Sequence, residues 1–379
     1  MTNMLRRLQM AVPPGLRAGD WVEVKSEADI LASLDQDGNL DGMPFMPEML
    51  KYCGQRLRVY KRAHKTCDYS KGMVSRRVPS AVHLDGIRCS GEAHGDCQAG
   101  CLLFWKEAWL TPVPEPSAGR ATLSVGNPDP AAGSASGSGC TEAQLHAATR
   151  EATEPETIYA CQATQILKFT TPLPPSDLEQ YVEAYVSRNF RLREMFAPLL
   201  FRVFDRLVRS RLGATGVPQR VYDAFQRVRG GIPYPNRPGR IPTGEKTPVG
   251  ELLHLQPGEF VRVKSFQDIL STINRDGLNR GLLFSQELVP YCGQVFRVQS
   301  RVSRIIDDRN GKMLHFKNDC IILENVICQA RYNAGLSFCP RSNYPYWREI
   351  WLERVDPRDV PAELVDAAPC NPSLAVTGP

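Results

Sequence analysis

Apolar and polar side chains alternate in short runs along this chain. Trp21-Val22-Glu23-Val24-Lys25 and Leu57-Arg58-Val59-Tyr60-Lys61 carry the period of a strand with one buried face. Between them, Ser26 precedes an acidic and apolar stretch that predicts a short capped helix over 27–34, and Asp37-Gly38 marks a turn. Two further strands are predicted over 81–87 and 105–113.

The pattern then repeats. LRAGDWVEVKSEADILASLDQDG from Leu16 matches LQPGEFVRVKSFQDILSTINRDG from Leu255, an offset of 239 that also carries Phe45 to Phe284, Glu48 to Glu287, Tyr52-Cys53-Gly54-Gln55 to Tyr291-Cys292-Gly293-Gln294, and Cys89 to Cys328. Three inserted residues raise the offset to 242, which carries Cys97 to Cys339, Trp105 to Trp347 and Trp109 to Trp351. Two copies of one module span residues 14–114 and 253–356. The opening Gly-Asp-Trp-Val-Glu-Val resembles the first strand of SH3-like and KOW-like barrels. The expected class is therefore mainly β with α: two tandem SH3-like small-barrel repeats joined by a helical middle segment.

Residues 115–139 are rich in Pro, Gly, Ser and Ala and read as a flexible linker. The middle segment, 140–229, predicts helices over 141–151 (Thr141 as cap), 176–188 (Ser176 as cap), 191–212 and 218–228. A second linker covers 230–252, and 357–379 is a C-terminal tail. In the third helix Leu192, Met195, Phe196, Leu199, Leu200, Val203, Phe204, Leu207 and Val208 share one face, with Arg193, Arg202, Arg206 and Arg209 elsewhere. The expectation is a core-packing helix with a solvated arginine face; the alternative is a membrane-surface or partner-binding helix. Pro198 is expected to kink or start it.

With 379 residues, 42% hydrophobic and 23% charged, the chain reads as globular and large enough for two or three domains. It has no apolar run of membrane-spanning length and no secretory core at the N-terminus, so a cytoplasmic protein is expected. The net charge of +5 comes without a concentrated basic block and supports nucleic-acid binding only weakly. A protein partner is expected instead.

In that compartment twelve cysteines read as metal ligands, reactive thiols or small buried hydrophobes rather than disulfides. Cys53 and Cys292 share one context in both copies and are expected to be buried structural thiols. Cys67 and Cys101 fall where the second copy has Ile306 and Asn343. Copy one alone therefore holds Cys67, Cys89, Cys97 and Cys101, enough thiols for a tetrahedral zinc shell. Their spacing is looser than a C-x2-C knuckle. His64 and His94 are possible substitute ligands, each expected on a surface loop if it binds nothing. Cys140 and Cys161 suggest an alternative iron–sulfur centre with Cys97 and Cys101, implying a redox or metal-dependent enzyme. No Cys-protease, serine-hydrolase, P-loop or dinucleotide signature is present. Trp105/Trp109 and Trp347/Trp351 are expected to bury one face of each barrel. Function is expected to be binding, with a metal holding the recognition surface in shape.

Overall fold

The computed structural model describes residues 15–69, 72–116, 139–153, 156–361 and 364. Most of the predicted 115–139 linker and most of the 357–379 tail lie outside the described residues. What is described is mixed: several antiparallel sheets with a few helices.

The first repeat contributes β1 (Trp21–Val24), β2 (Arg56–Arg62), β3 (Lys65–Asp68), β4 (Val74–Arg77), β5 (Ala81–Leu84), β6 (Trp105–Lys106) and β7 (Leu110–Val113). Its main sheet runs β6-β5-β2-β1-β7. Ser26 caps α1 (Glu27–Ser33), accepting from the Asp29 amide. The predicted 105–113 strand is interrupted by a 3-10 turn at Glu107–Trp109, and Asp85-Gly86 ends β5 early, with Gly86 at φ +71.

In the middle segment α2 (Glu142–Ala147) is shorter than predicted, capped by Thr141 as expected, because residues 150–153 pair as a strand with Glu156–Tyr159. β8 (Thr171–Pro172) extends the β3/β4 hairpin into a three-stranded sheet. There follow α3 (Glu179–Val186), α4 (Leu192–Val208) and α5 (Val217–Arg229). Leu178, not Ser176, is the residue before α3, and it makes no side-chain cap. Pro198 lies inside α4 rather than at its start.

The second repeat has β9 (Phe260–Val263), α6 (Phe266–Leu270), β10 (Val295–Ile306), β11 (Met313–Leu323) and β12 (Leu352–Arg354), with sheet order β11-β10-β9-β12. This is the order of β5-β2-β1-β7 in the first sheet. The cores match too. Phe45 meets Trp105 and Trp109 edge-on at 6.1 and 5.1 Å, and Phe284 meets Trp347 and Trp351 at 6.2 and 5.2 Å. All four tryptophans are fully buried, so none is left as an exposed platform. Cys53 and Cys292 are half-buried against these cores.

A buried arginine clamp also repeats. Arg62 Nη1 donates to Leu16 O and pairs with Glu107 at 2.6 Å; Arg301 Nη1 donates to Leu255 O and lies 3.6 Å from Glu349. In the first repeat the middle segment covers the clamp: Arg62 Nε donates to Glu183 of α3, and Asn189 bonds the Arg62 backbone on both sides.

Contacts between the repeats are reciprocal under the repeat's own offsets. The β3 edge of the first copy reaches the cysteine loop of the second, where fully buried Lys65 donates to Ser337 O at 2.5 Å and Arg341 Nη1 donates to Cys67 O at 2.9 Å. In return, β10 of the second copy reaches the cysteine loop of the first: Ile306 N donates to Cys97 Sγ, and Ser303 N to Gln98 Oε1. Ile306 is the counterpart of Cys67, and Cys97 of Cys339. The duplicated chain thus packs on itself as an isologous pair would.

One pH dependence follows from this packing. His83 is fully buried with Nδ1 2.9 Å from Leu103 O, and burial lowers its pKa from 6.5 to about 3. The folded state keeps the ring neutral while the unfolded chain protonates it, so stability present above pH 6.5 is lost as pH falls toward 3. The loss is on the order of 5 kcal/mol at full protonation. Burial lowers the His64 pKa in the same direction. In a denaturant series across that window, His83→Gln should flatten the acid slope; an unchanged slope would assign acid lability elsewhere.

Candidate metal centre

The loop from Cys89 to Cys101 turns back on itself at Gly91. Its φ is +79, a Cβ there would sit 2.2 Å from Cys97 O, and Gly91 O accepts from the amides of His94 and Asp96. Only glycine fits so close an approach in the left-handed region. The fold of the loop swings His94 back over Cys89. Beneath both lies Glu48, from the 3-10 turn Pro47–Tyr52, placed by an otherwise apolar stretch that anchors in the core.

The three side chains converge. Cys89 Sγ lies 3.3 Å from Glu48 Oε1 and 3.3 Å from His94 Nε2, and the nearest imidazole nitrogen, Nδ1, lies 3.8 Å from Glu48 Oε1. Among the described residues this is the group of three or more thiol, imidazole or carboxylate ligands gathered within 4.8 Å. A tetrahedral ion with bonds of about 2.0–2.3 Å spaces its ligands roughly 3.3–3.8 Å apart. The two thiol separations match that shell, and one ligand atom of each residue lies within 4.8 Å of the other two, so the group could bind a metal ion.

Two buried atoms in the group lack partners, Glu48 Oε2 and His94 Nδ1. The second copy supplies the comparison. Glu287, the counterpart of Glu48, is equally buried but accepts from the amides of Arg331, Tyr332 and Asn333 at 3.0, 2.6 and 3.0 Å. In the first copy the shorter loop offers Glu48 a thiol and an imidazole in place of those amides. Burial, with Glu48 second, pushes the Cys89 thiol well up, and burial lowers the His94 imidazole. Unassisted, the pair stays neutral beside the carboxylate; a cation would invert that preference.

Cys89, His94, Cys97, Cys101 and Cys161 line one small cavity of ≈ 30 Å³ beside the triad, the size of a single ion or water. Burial raises all of these thiols, Cys101 to about 11 and Cys161 to about 12. Cys67 is not among the lining residues; it packs with Cys339 across the repeat interface. Cys140 packs against the end of α1, its Sγ donating to Thr141 O and its amide to Leu31 O. Both histidines singled out in the sequence are buried rather than on surface loops. Glu48 was missed, though a carboxylate inside Met43–Leu50 and its retention as Glu287 were legible signals of a buried role. No protein-family model, curated protein or solved structure matches the chain.

Proposed function

We propose that the chain is a metal-binding, two-repeat binding protein. A zinc ion held by Glu48, Cys89 and His94, with one thiol of Cys97, Cys101 or Cys161 as fourth ligand, locks the loop between Cys89 and Cys101. The observation that carries this is Glu48, buried with an orphaned oxygen where its twin Glu287 holds three amides. A cation supplies the charge those amides would have supplied. The ion fixes the loop that Ile306 and Ser303 of the second repeat dock against, so it shapes the face where the two copies meet. In this reading the repeats are SH3-like small barrels, and a reducing cytosolic setting keeps the free thiols available. A thiol enzyme at Cys89 has less support, because a cavity of ≈ 30 Å³ admits no substrate. An iron–sulfur cluster on Cys97, Cys101, Cys140 and Cys161 is disfavoured by the same small volume and by the separate position of Cys140.

Elemental analysis of the purified full chain should return about one zinc per chain, and cobalt exchanged into the site should give the visible bands of a tetrahedral thiolate complex. A metal-free protein that takes up no cobalt overturns the reading.

The partner surface in this reading is the pair α4 and α5. α4 buries Met195, Pro198, Phe201 and Asp205 and leaves Leu192, Phe196, Leu199, Val203 and Leu207 exposed, contrary to a purely core-packing helix. α5 exposes Val217, Val221, Phe225 and Val228 beside Arg220, Arg227 and Arg229. The apolar stripe of α4 is wider than the edge the chain itself covers. An acidic partner with apolar anchors suits such a face. Phe196→Ser with Val203→Ser should therefore leave the unfolding free energy within about 0.5 kcal/mol of wild type in a urea titration; a large loss would make the face structural. No helix among the described residues is long and apolar enough to cross a membrane.

A further inference from the structure

A second, larger cavity of ≈ 400 Å³ lies between the two repeats, lined by Cys67 and Cys101 of the first and by Arg341, Asn343 and Asp308 of the second, over an apolar floor that includes Leu288 and Ile305. Its volume is that of a small-molecule site.

Two features make it more than a packing gap. Arg341 is only 2% exposed, and after Nη1 has donated to Cys67 O its Nε has no hydrogen-bond partner. A buried guanidinium N–H beside a cavity without an acceptor costs stability unless a ligand supplies one. Cys67 Sγ sits beside it, 4.0 Å from Arg341 Nη1 and 3.9 Å from Asn343 Nδ2. The Asn343 Oδ1 atom is likewise unpartnered.

We propose that this cavity binds a small monocarboxylate carrying a leaving group on its α-carbon, with Arg341 holding the carboxylate and the Cys67 thiolate forming an S–C bond as the carbon–leaving-group bond breaks and that group departs with its electron pair. The planar guanidinium matches a carboxylate. A single arginine, partly offset by Asp308, suits one negative charge and not a phosphate dianion, and the apolar floor takes the rest of the molecule.

The sulfur is suited to its part. Hydrogen bonding from Cys339 and the charge of Arg341 hold the Cys67 thiol below the ordinary range against the pull of burial. The other described cysteines are all pushed upward. The attacking sulfur and the carboxylate anchor, Cys67 and Arg341, are not among the ligands proposed for the ion, although Cys101 and Arg341 line both cavities.

Iodoacetate is the probe. The Cys67 thiolate supplies the electron pair of the new S–C bond, iodide departs with the C–I pair, and the thiol proton has already passed to solvent. Native full-length protein as purified is treated with iodoacetate or iodoacetamide and digested, and labelling at each cysteine is followed by mass spectrometry. Cys67 is expected to label ahead of the half-buried Cys53 and Cys292. Its iodoacetate-to-iodoacetamide rate ratio should exceed that of free cysteine by about 10-fold, the worth of one charge-assisted hydrogen bond. Arg341→Gln should erase that preference. Should this variant fold poorly, wild type still decides: millimolar benzoate should slow iodoacetamide labelling of Cys67, and benzyl alcohol should not. Labelling of Cys67 no faster than Cys53, a rate ratio equal to free cysteine, or equal protection by the two additives each overturns the proposal.

Discussion

Cys89→Ser protein is expected to leave purification without its ion and to melt well below wild type. The thiolate is the softest donor of the triad and the atom closest to both partners, 3.3 Å from each; a serine hydroxyl is neutral at working pH and a far weaker zinc ligand. The lost stability equals the binding linkage, about 4 kcal/mol when free ion stands a thousand-fold above Kd, or roughly 10 °C in the melting midpoint. The metal-free forms separate this from a packing effect. After chelation, wild type and variant should melt together, because exchanging sulfur for oxygen at one half-buried position changes little volume. The twin substitutions Glu48→Gln and Glu287→Gln extend the logic: the first should lower metal content, the second should lower stability with metal content unchanged. Wild-type protein whose melting is indifferent to chelator would remove the ion from the account.

Arg62→Met is expected to be strongly destabilising in the first repeat. The Arg62 side chain is 7% exposed and serves Glu107, Glu183 and the Leu16 carbonyl at once. Its removal leaves Glu107 without its cation and Glu183 with only the Arg77 guanidinium 3.7 Å away, in a poorly hydrated setting, a loss of about 3–5 kcal/mol. The duplication again provides the control. Arg301 has a similar role beside Glu349, but its side chain is 27% exposed and, among the described residues, its hydrogen bonds go to Leu255 O and Asp319 rather than to a middle-segment helix. Water can replace much of what Arg301→Met removes, so that variant should lose well under half as much in matched urea titrations. Equal losses would mean that burial by α3 does not set the energy of the clamp.

Much of the local architecture was readable in advance. Val22 and Val24 face the core on alternate positions of β1 because the pleat has period two, and Ser26 and Thr141 cap helices because their hydroxyls reach amides two or three residues away. The errors also have local causes. The 141–151 helix stops at Ala147 because residues 150–153 find a strand partner, a tertiary gain that outweighs propensity. α4 looked like a core helix because its apolar positions are periodic, yet periodicity reports a face and not what covers it.

The cysteines divide along the same line. That Cys67 and Cys101 are peculiar to the first copy is a property of the string of residues, and so is the loop-forming run of glycines around Cys89. Which of these thiols meet is not. Cys89 finds Glu48 across 41 positions and Cys67 finds Arg341 across 274, and neither spacing has a period that a sequence could display. The sequence by itself determined the duplication, the strand and cap pattern and the stock of ligands, because those depend on neighbours within a few residues. Only the folded chain decided that the two copies exchange their β-hairpin edges, and that this exchange splits the thiols between an ion-sized pocket in one repeat and a ligand-sized cavity between both. Long-range packing sets those distances, and a few ångströms separate a ligand shell from a row of unrelated side chains.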